Sequence, residues 1–161
     1  MAAGLAGGVA ASWAMDQFQE LLSKAQSSQS RSGNGNQGSQ QHQEEPATVK
    51  AAERVSRAAF DHELTPAEKK PAGQAAHYAM GAVSGAVYGA VAEFAPATTT
   101  GFGLTFGTAL WLVADEAAVP ALGLSKPSVQ SPASTHASAW ASHLVYGVTT
   151  DAIRRAVMHI V

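Results

Sequence analysis

Six ionisable residues of this chain fall inside otherwise apolar stretches: Asp16, His77, Asp115, Glu116, His136 and His143. Imidazole titrates close to neutral pH, and a neighbouring carboxylate moves that titration. Such a set admits three uses. Histidine–carboxylate hydrogen bonds can hold helices in register. The same pairs can pass or sense protons. Imidazole and carboxylate together also suit a divalent zinc, iron or manganese ion. Spacing narrows the third use. His136 and His143 are two helical turns apart, about 10.5 Å along an axis, too far to chelate one small ion together. The E-x-x-H pattern of di-iron bundles is missing, so no metal ligand set is assigned. Asp115 and Glu116 are adjacent, about 100° apart on an α-helix, and should not both face one neighbour squarely. Asp16 shares a face with Glu20.

Other chemistries find no support. There is no G-x-x-x-x-G-K-[ST], no G-x-S-x-G and no H-E-x-x-H. "GFGLTFG" fails the G-x-G-x-x-G fingerprint because Phe106 stands at its last position. Cysteine is absent, which removes thiolate ligands, disulfides and a cysteine nucleophile. No Ser/His/Asp spacing favours a triad. The chain is therefore expected to be no enzyme and to carry no cofactor.

The elements that must position these residues are helical. In 161 residues with a net charge of −2, one core is expected, and no basic face for nucleic acid. The mean hydropathy of −0.02 averages two unlike parts. Residues 23–45, rich in Gln, Ser, Gly and Asn, should be a disordered linker. Around it lie four apolar segments, 1–22, 72–95, 101–119 and 135–157, each near the ~20 residues that span a bilayer. The first lysine is Lys24, so no positive n-region precedes the first segment, which reads as retained. Residues 46–71 form an amphipathic segment, with Val49, Ala52, Val55, Ala59 and Phe60 at helical spacing. This segment suits a membrane interface or a helix packed on the bundle. Thr65–Pro66–Ala67–Glu68 is a capping box, and Pro71 should interrupt that turn and start the next helix.

Glycines repeat at four-residue spacing in these segments: Gly4 and Gly8, then Gly81, Gly85 and Gly89, then Gly103 and Gly107. Ser134, Ser138 and Ser142 continue the pattern. In lipid, helices associate by close backbone approach, which small residues permit. The expected fold is an all-α, four-helix membrane bundle with small-residue interfaces. In an up-down arrangement Asp16, His77, Asp115, Glu116, His136 and His143 collect in one half. Glu93, Asp151, Arg154 and Arg155 fall in the other, where Asp151 reaches both arginines as an ordinary i+3, i+4 helix pair.

The stretches "GLAGGVAASWAMDQFQ", "HYAMGAVSGAVYG", "LWLVADEAAVPALGL" and "HASAWASHLVYGVTTDAIRR" resemble the YagU-like family of small bacterial inner-membrane proteins, a domain of unknown function. The resemblance implies a multi-pass protein of the bacterial inner membrane. It supplies no activity and no site residues. The expected partners are the lipid bilayer and, through the glycine faces, a second copy of the chain. The functional expectation is a membrane protein that responds to pH or is linked to protons through the His/carboxylate half. The competing expectations are a soluble Ala-rich interaction module and a small transporter or channel subunit. Basic residues concentrate on the linker side, which the positive-inside rule puts in the cytoplasm.

Overall fold

The computed structural model describes residues 1–32, 45–126 and 131–160. Its described residues are helical, with five helices. α1 runs Ala2–Ser32, α2 Ala47–Phe60 and α3 Pro66–Phe94. α4 is composite: α-helical over Leu104–Trp111, π-helical over Leu112–Ala118, with a last turn Val119–Ala121. α5 runs Ala133–Ile160.

Several boundaries differ from the sequence expectation. α1 does not end at residue 22 but continues through polar residues to Ser32. The first part of the expected linker is therefore helix; the rest of it, residues 33–44, lies outside the described residues. Along this extension the Ser27 and Ser28 hydroxyls bond back to the Lys24 carbonyl. Pro71 does not interrupt α3. It sits one turn inside the helix start, where its missing N–H removes a single bond close to the end. The capping box forms as expected, with Thr65 N–H donating to Glu68 Oε2 at 2.8 Å.

The four-helix count also needs correction, because α2 is a full member of the bundle. Val49 is buried against α3 at Gly73, where an added Cβ would lie 3.3 Å from Val49 Cα. Arg54 donates to the carbonyls of Leu122 and Gly123, so α2 also closes the C-terminal end of α4. α2 itself ends on Asp61 in the left-handed conformation, with its N–H on Arg57 O at 3.2 Å and that of His62 on Ser56 O at 3.4 Å.

The long helices pack antiparallel through glycine. On α1 and α3, Gly4 and Gly8 face Gly81, Gly85 and Gly89; a Cβ on Gly89 would lie 2.9 Å from Gly4 Cα. On α4 and α5, Gly103 and Gly107 face Gly147, whose added Cβ would lie 2.8 Å from Gly107 N. Gly7 of α1 lies against Thr150 of α5. The glycine faces thus serve contacts within the chain. The "GFG" of "GFGLTFG" is the turn into α4: Gly101, Phe102 and Gly103 all have positive φ, 80°, 52° and 82°. The two glycines adopt it without the Cβ clash that an L side chain suffers there.

Between the helices lies a small aromatic core. Tyr88 stacks on Phe106 at 4.3 Å, and Phe106 tilts against Tyr146 at 6.0 Å. Ala11, Met15 and Leu110 pack around them. No helix among the described residues is long and apolar enough to cross a membrane. The expectation of four transmembrane helices thus gains no support from hydropathy. Glycine, serine and the paired ionisable residues at the helix contacts lower each average.

Candidate functional site

The interior holds polar groups at both ends. Toward the linker end, three contacts join imidazoles to carboxylates on different helices. His77 Nε2 of α3 lies 3.3 Å from Asp16 Oδ1 of α1. His143 Nδ1 of α5 lies 3.6 Å from Asp115 Oδ2 of α4. His136 Nδ1 of α5 lies 2.6 Å from Glu116 Oε1 of α4. All six candidate residues are thus engaged in pairs. Glu20 is elsewhere, paired with Lys24 at 2.6 Å on the surface.

Both α4 carboxylates meet α5, against the expectation from α-helical phase. The reason is the π-helical winding of Leu112–Ala118. An i→i+5 turn holds more residues per turn, so neighbours are separated by a smaller angle, and such turns recur at functional sites. The two histidines, one above the other on α5, then receive Asp115 and Glu116 together. Nothing in the residue types of "LVADEAA" marks that winding in advance.

A cavity of about 890 Å³ opens beside these pairs. Asp16, His77, Asp115 and His143 face it, with Gln74 and Tyr146, while Glu116 and His136 are off its wall. Met15, Leu110, Val119 and Leu124 make much of the remaining surface, and α2 with Val49 lies across one side. Gln74 Nε2 donates to Asp16 Oδ2 at 2.9 Å. His143 Nδ1 reaches Ala139 O at 2.9 Å, which makes Nδ1–H the donor. His77 Nε2 is buried and has no hydrogen-bond partner; the nearby Asp16 oxygen lies off the line a hydrogen bond requires. Among the described residues no three His, Asp or Glu side chains converge as a metal site requires.

The wall also carries charge, from Glu45 and Lys69. Lys69 Nζ reaches Glu45 at 2.9 Å and Glu53 at 2.7 Å. The hydrogen bonds that Lys69 donates to these carboxylates hold its ammonium above the usual range and hold the Glu53 carboxyl below its own. Glu68, mainly through the Thr65 backbone N–H, is likewise held low and accepts from His62 at 3.2 Å.

The far end contains the network that helix spacing understated. Asp151 is 1% exposed. Its carboxylate accepts from Tyr88 Oη at 3.0 Å, Arg154 Nη2 at 2.9 Å and Arg155 Nε at 2.7 Å. Arg155 also donates to Thr99 O at 3.0 Å and stands over the Phe102 ring, 5.2 Å from its centroid. The i+3, i+4 spacing identified the ion pairs; their burial depends on Tyr88 and the turn before α4, which local spacing does not reach.

The family model "Protein of unknown function (DUF1440)" matches residues 52–152. The chain belongs to the DUF1440 family. The matched span begins within α2 and includes four of the six paired residues in α4 and α5, together with His77; Asp16 and the α1 glycines precede it. No curated protein and no solved structure matches the chain.

Proposed function

We propose that this DUF1440 protein is a YagU-like, multi-pass protein of the bacterial inner membrane. In this reading it is not an enzyme, and the linker-side half of its bundle changes state as its imidazoles titrate. The observation that carries the pH reading is the set of three helix-to-helix imidazole–carboxylate contacts. Each joins two helices that otherwise touch through small residues, so protonating an imidazole changes the attraction between the elements themselves. The groups facing the pairs around the cavity are Glu45, Lys69, Lys70, Gln74 and Tyr146. Lys69 is already committed to Glu45 and Glu53, and imidazole is the side chain whose charge changes most readily near neutral pH.

The membrane reading rests on an inverted distribution of polarity. Ser12, Ser142, His143, Thr150, Asp151 and Arg154 are buried, while Trp13, Val83, Val87, Phe94, Leu112 and Val113 are exposed. A buried polar group or an exposed apolar patch is the informative departure from ordinary globular packing. Both occur together on α1 and on α5, where Trp140 and Val148 are exposed. α3 has 29 residues, about 44 Å at 1.5 Å per residue, against a hydrocarbon core of about 30 Å.

The test of the pH reading is a titration of the purified full chain, followed by fluorescence of Trp13, Trp111 and Trp140. A transition between pH 5 and 8 is expected, reduced in His77→Gln and in His143→Gln. The same transition in both variants as in the parent chain overturns the reading.

A further inference from the structure

The cavity beside the pairs contains polar groups that the protein itself leaves incompletely met. His77 Nε2 is buried with no hydrogen-bond partner. Asp115 stands 3.6 Å from His143 Nδ1, beyond hydrogen-bond length, because that nitrogen is committed to Ala139 O at 2.9 Å. The Asp115 side chain is 37% exposed, so the cost of a buried group without a partner falls on the His77 nitrogen, and such groups in folded proteins normally find one. The size of the cavity, about 890 Å³, falls in the range of about 300–1,000 Å³ typical of small-molecule sites. Its wall is mostly apolar, from Met15, Leu110, Val119 and Leu124, with a few polar groups among them, the usual composition of such a site.

Charge selects the ligand. With neutral imidazoles, the interior presents two carboxylates, Asp16 and Asp115. Lys69 is neutralised by Glu45 and Glu53, and Lys70, also on the wall, is exposed to solvent. An anion would meet the two acids, and a purely apolar ligand would leave them desolvated, which is unfavourable.

We propose that this cavity binds an amphipathic amine, its ammonium head drawn to the carboxylates of Asp16 and Asp115 and its apolar body against Met15, Leu110 and Leu124. The proposal deepens the pH reading and rests on it for one feature. His77 and His143, once protonated, supply the positive charge that the ammonium otherwise brings. Proton and amine therefore compete, and by linkage each weakens the other. The site holds an amine above the imidazole titration and releases it below.

The probe is n-octylamine, titrated calorimetrically into the purified full chain in maltoside micelles, with n-octanol and octanoate as controls. Saturable 1:1 binding of octylamine at pH 8 is expected, with no comparable binding of the controls. Affinity should fall at least tenfold in Asp115→Asn and at pH 5.5. Ser84→Phe, which fills the cavity and removes no charge, should lose binding as well, whereas Glu63→Gln on the exposed surface should not. Equal binding of octanol, or unchanged affinity in folded Asp115→Asn, overturns the proposal. If Asp115→Asn does not fold, retained binding in Ser84→Phe overturns it instead. Loss of the amine result with the tryptophan pH transition intact removes the ligand and leaves the pH reading. Amine binding that ignores pH removes the competition and counts against the imidazoles.

Discussion

At the scale of single residues, Asp151 carries the far end of the bundle. It is the buried acceptor for Tyr88, Arg154 and Arg155. Removing one member of a buried charge network leaves the others uncompensated, at a cost of about 3–5 kcal/mol. Asp151→Ala should therefore unfold the chain at markedly lower temperature by far-UV circular dichroism. Tyr88→Phe removes one hydrogen bond to a charged acceptor, about 1.5–3 kcal/mol, and leaves the arginines paired. Equal loss in the two variants would mean that the arginines do not depend on Asp151. The network was half legible in the sequence. D-x-x-R-R displays the ion pairs, but the depth comes from Tyr88, 63 residues earlier in the chain, and long-range burial has no local signature. The six paired residues were more accessible to reasoning, because helix order and length alone put them in one half.

At the scale of elements, the glycine spacing was legible because close helix contact leaves no room for a Cβ. Its partners were not, since Gly7, Gly73 and Gly147 enter contacts without belonging to a repeat. An added Cβ at Gly85 would lie 2.7 Å from Gly8 Cα, a backbone atom that cannot step aside. Gly85→Ala should cost about 1–3 kcal/mol, as other overpacked contacts do, and Gly85→Leu should separate α1 from α3. Val87→Leu, on the exposed side of the same helix, should leave the melting temperature nearly unchanged. Equivalent behaviour of the two leucine variants would remove the glycine contact as an organising feature. The docking of α2 has a pH dependence of its own. Glu53 is held below its ordinary value of 4.5 chiefly by Lys69, so the contact is strongest above that value and is lost as pH falls through the lowered one. The protection of α2 amides, taken relative to their intrinsic exchange rate at each pH, should fall modestly on acidification below about pH 4.5. In Lys69→Met that protection should be lowered already at neutral pH, with little further acid dependence. Exchange in α2 that is indifferent to both changes would detach its docking from the Lys69 contacts.

At the scale of the whole molecule, the question is which surface meets which solvent. Helix-by-helix hydropathy answers one way, for no helix among the described residues is long and apolar enough to cross a membrane. Surface composition points the other way. The residues that lower those averages include Ser12, Ser142, His143 and Asp151, which are buried, and glycines pressed against neighbouring helices. None of these would meet lipid in an assembled bundle. What would meet it includes Val83, Val87 and Phe94 on α3, and Leu112 and Val113 on α4. An average over a helix weights both sets equally, whereas a bilayer contacts only the second. Alkaline carbonate extraction of cell membranes, followed by immunoblotting, separates the two answers. The proposed bundle should stay in the pellet and be released by detergent. A charge on the outward face should matter far more than one removed from the connection between α2 and α3, because lipid cannot solvate it. Val87→Asp should thus reduce the membrane-retained fraction, and Glu63→Gln should not. Release of the parent chain by carbonate would overturn the bilayer assignment and turn the same exposed valines into a surface for a protein partner. The cavity and its paired imidazoles would survive that result, because their geometry depends on how the helices pack rather than on what surrounds them.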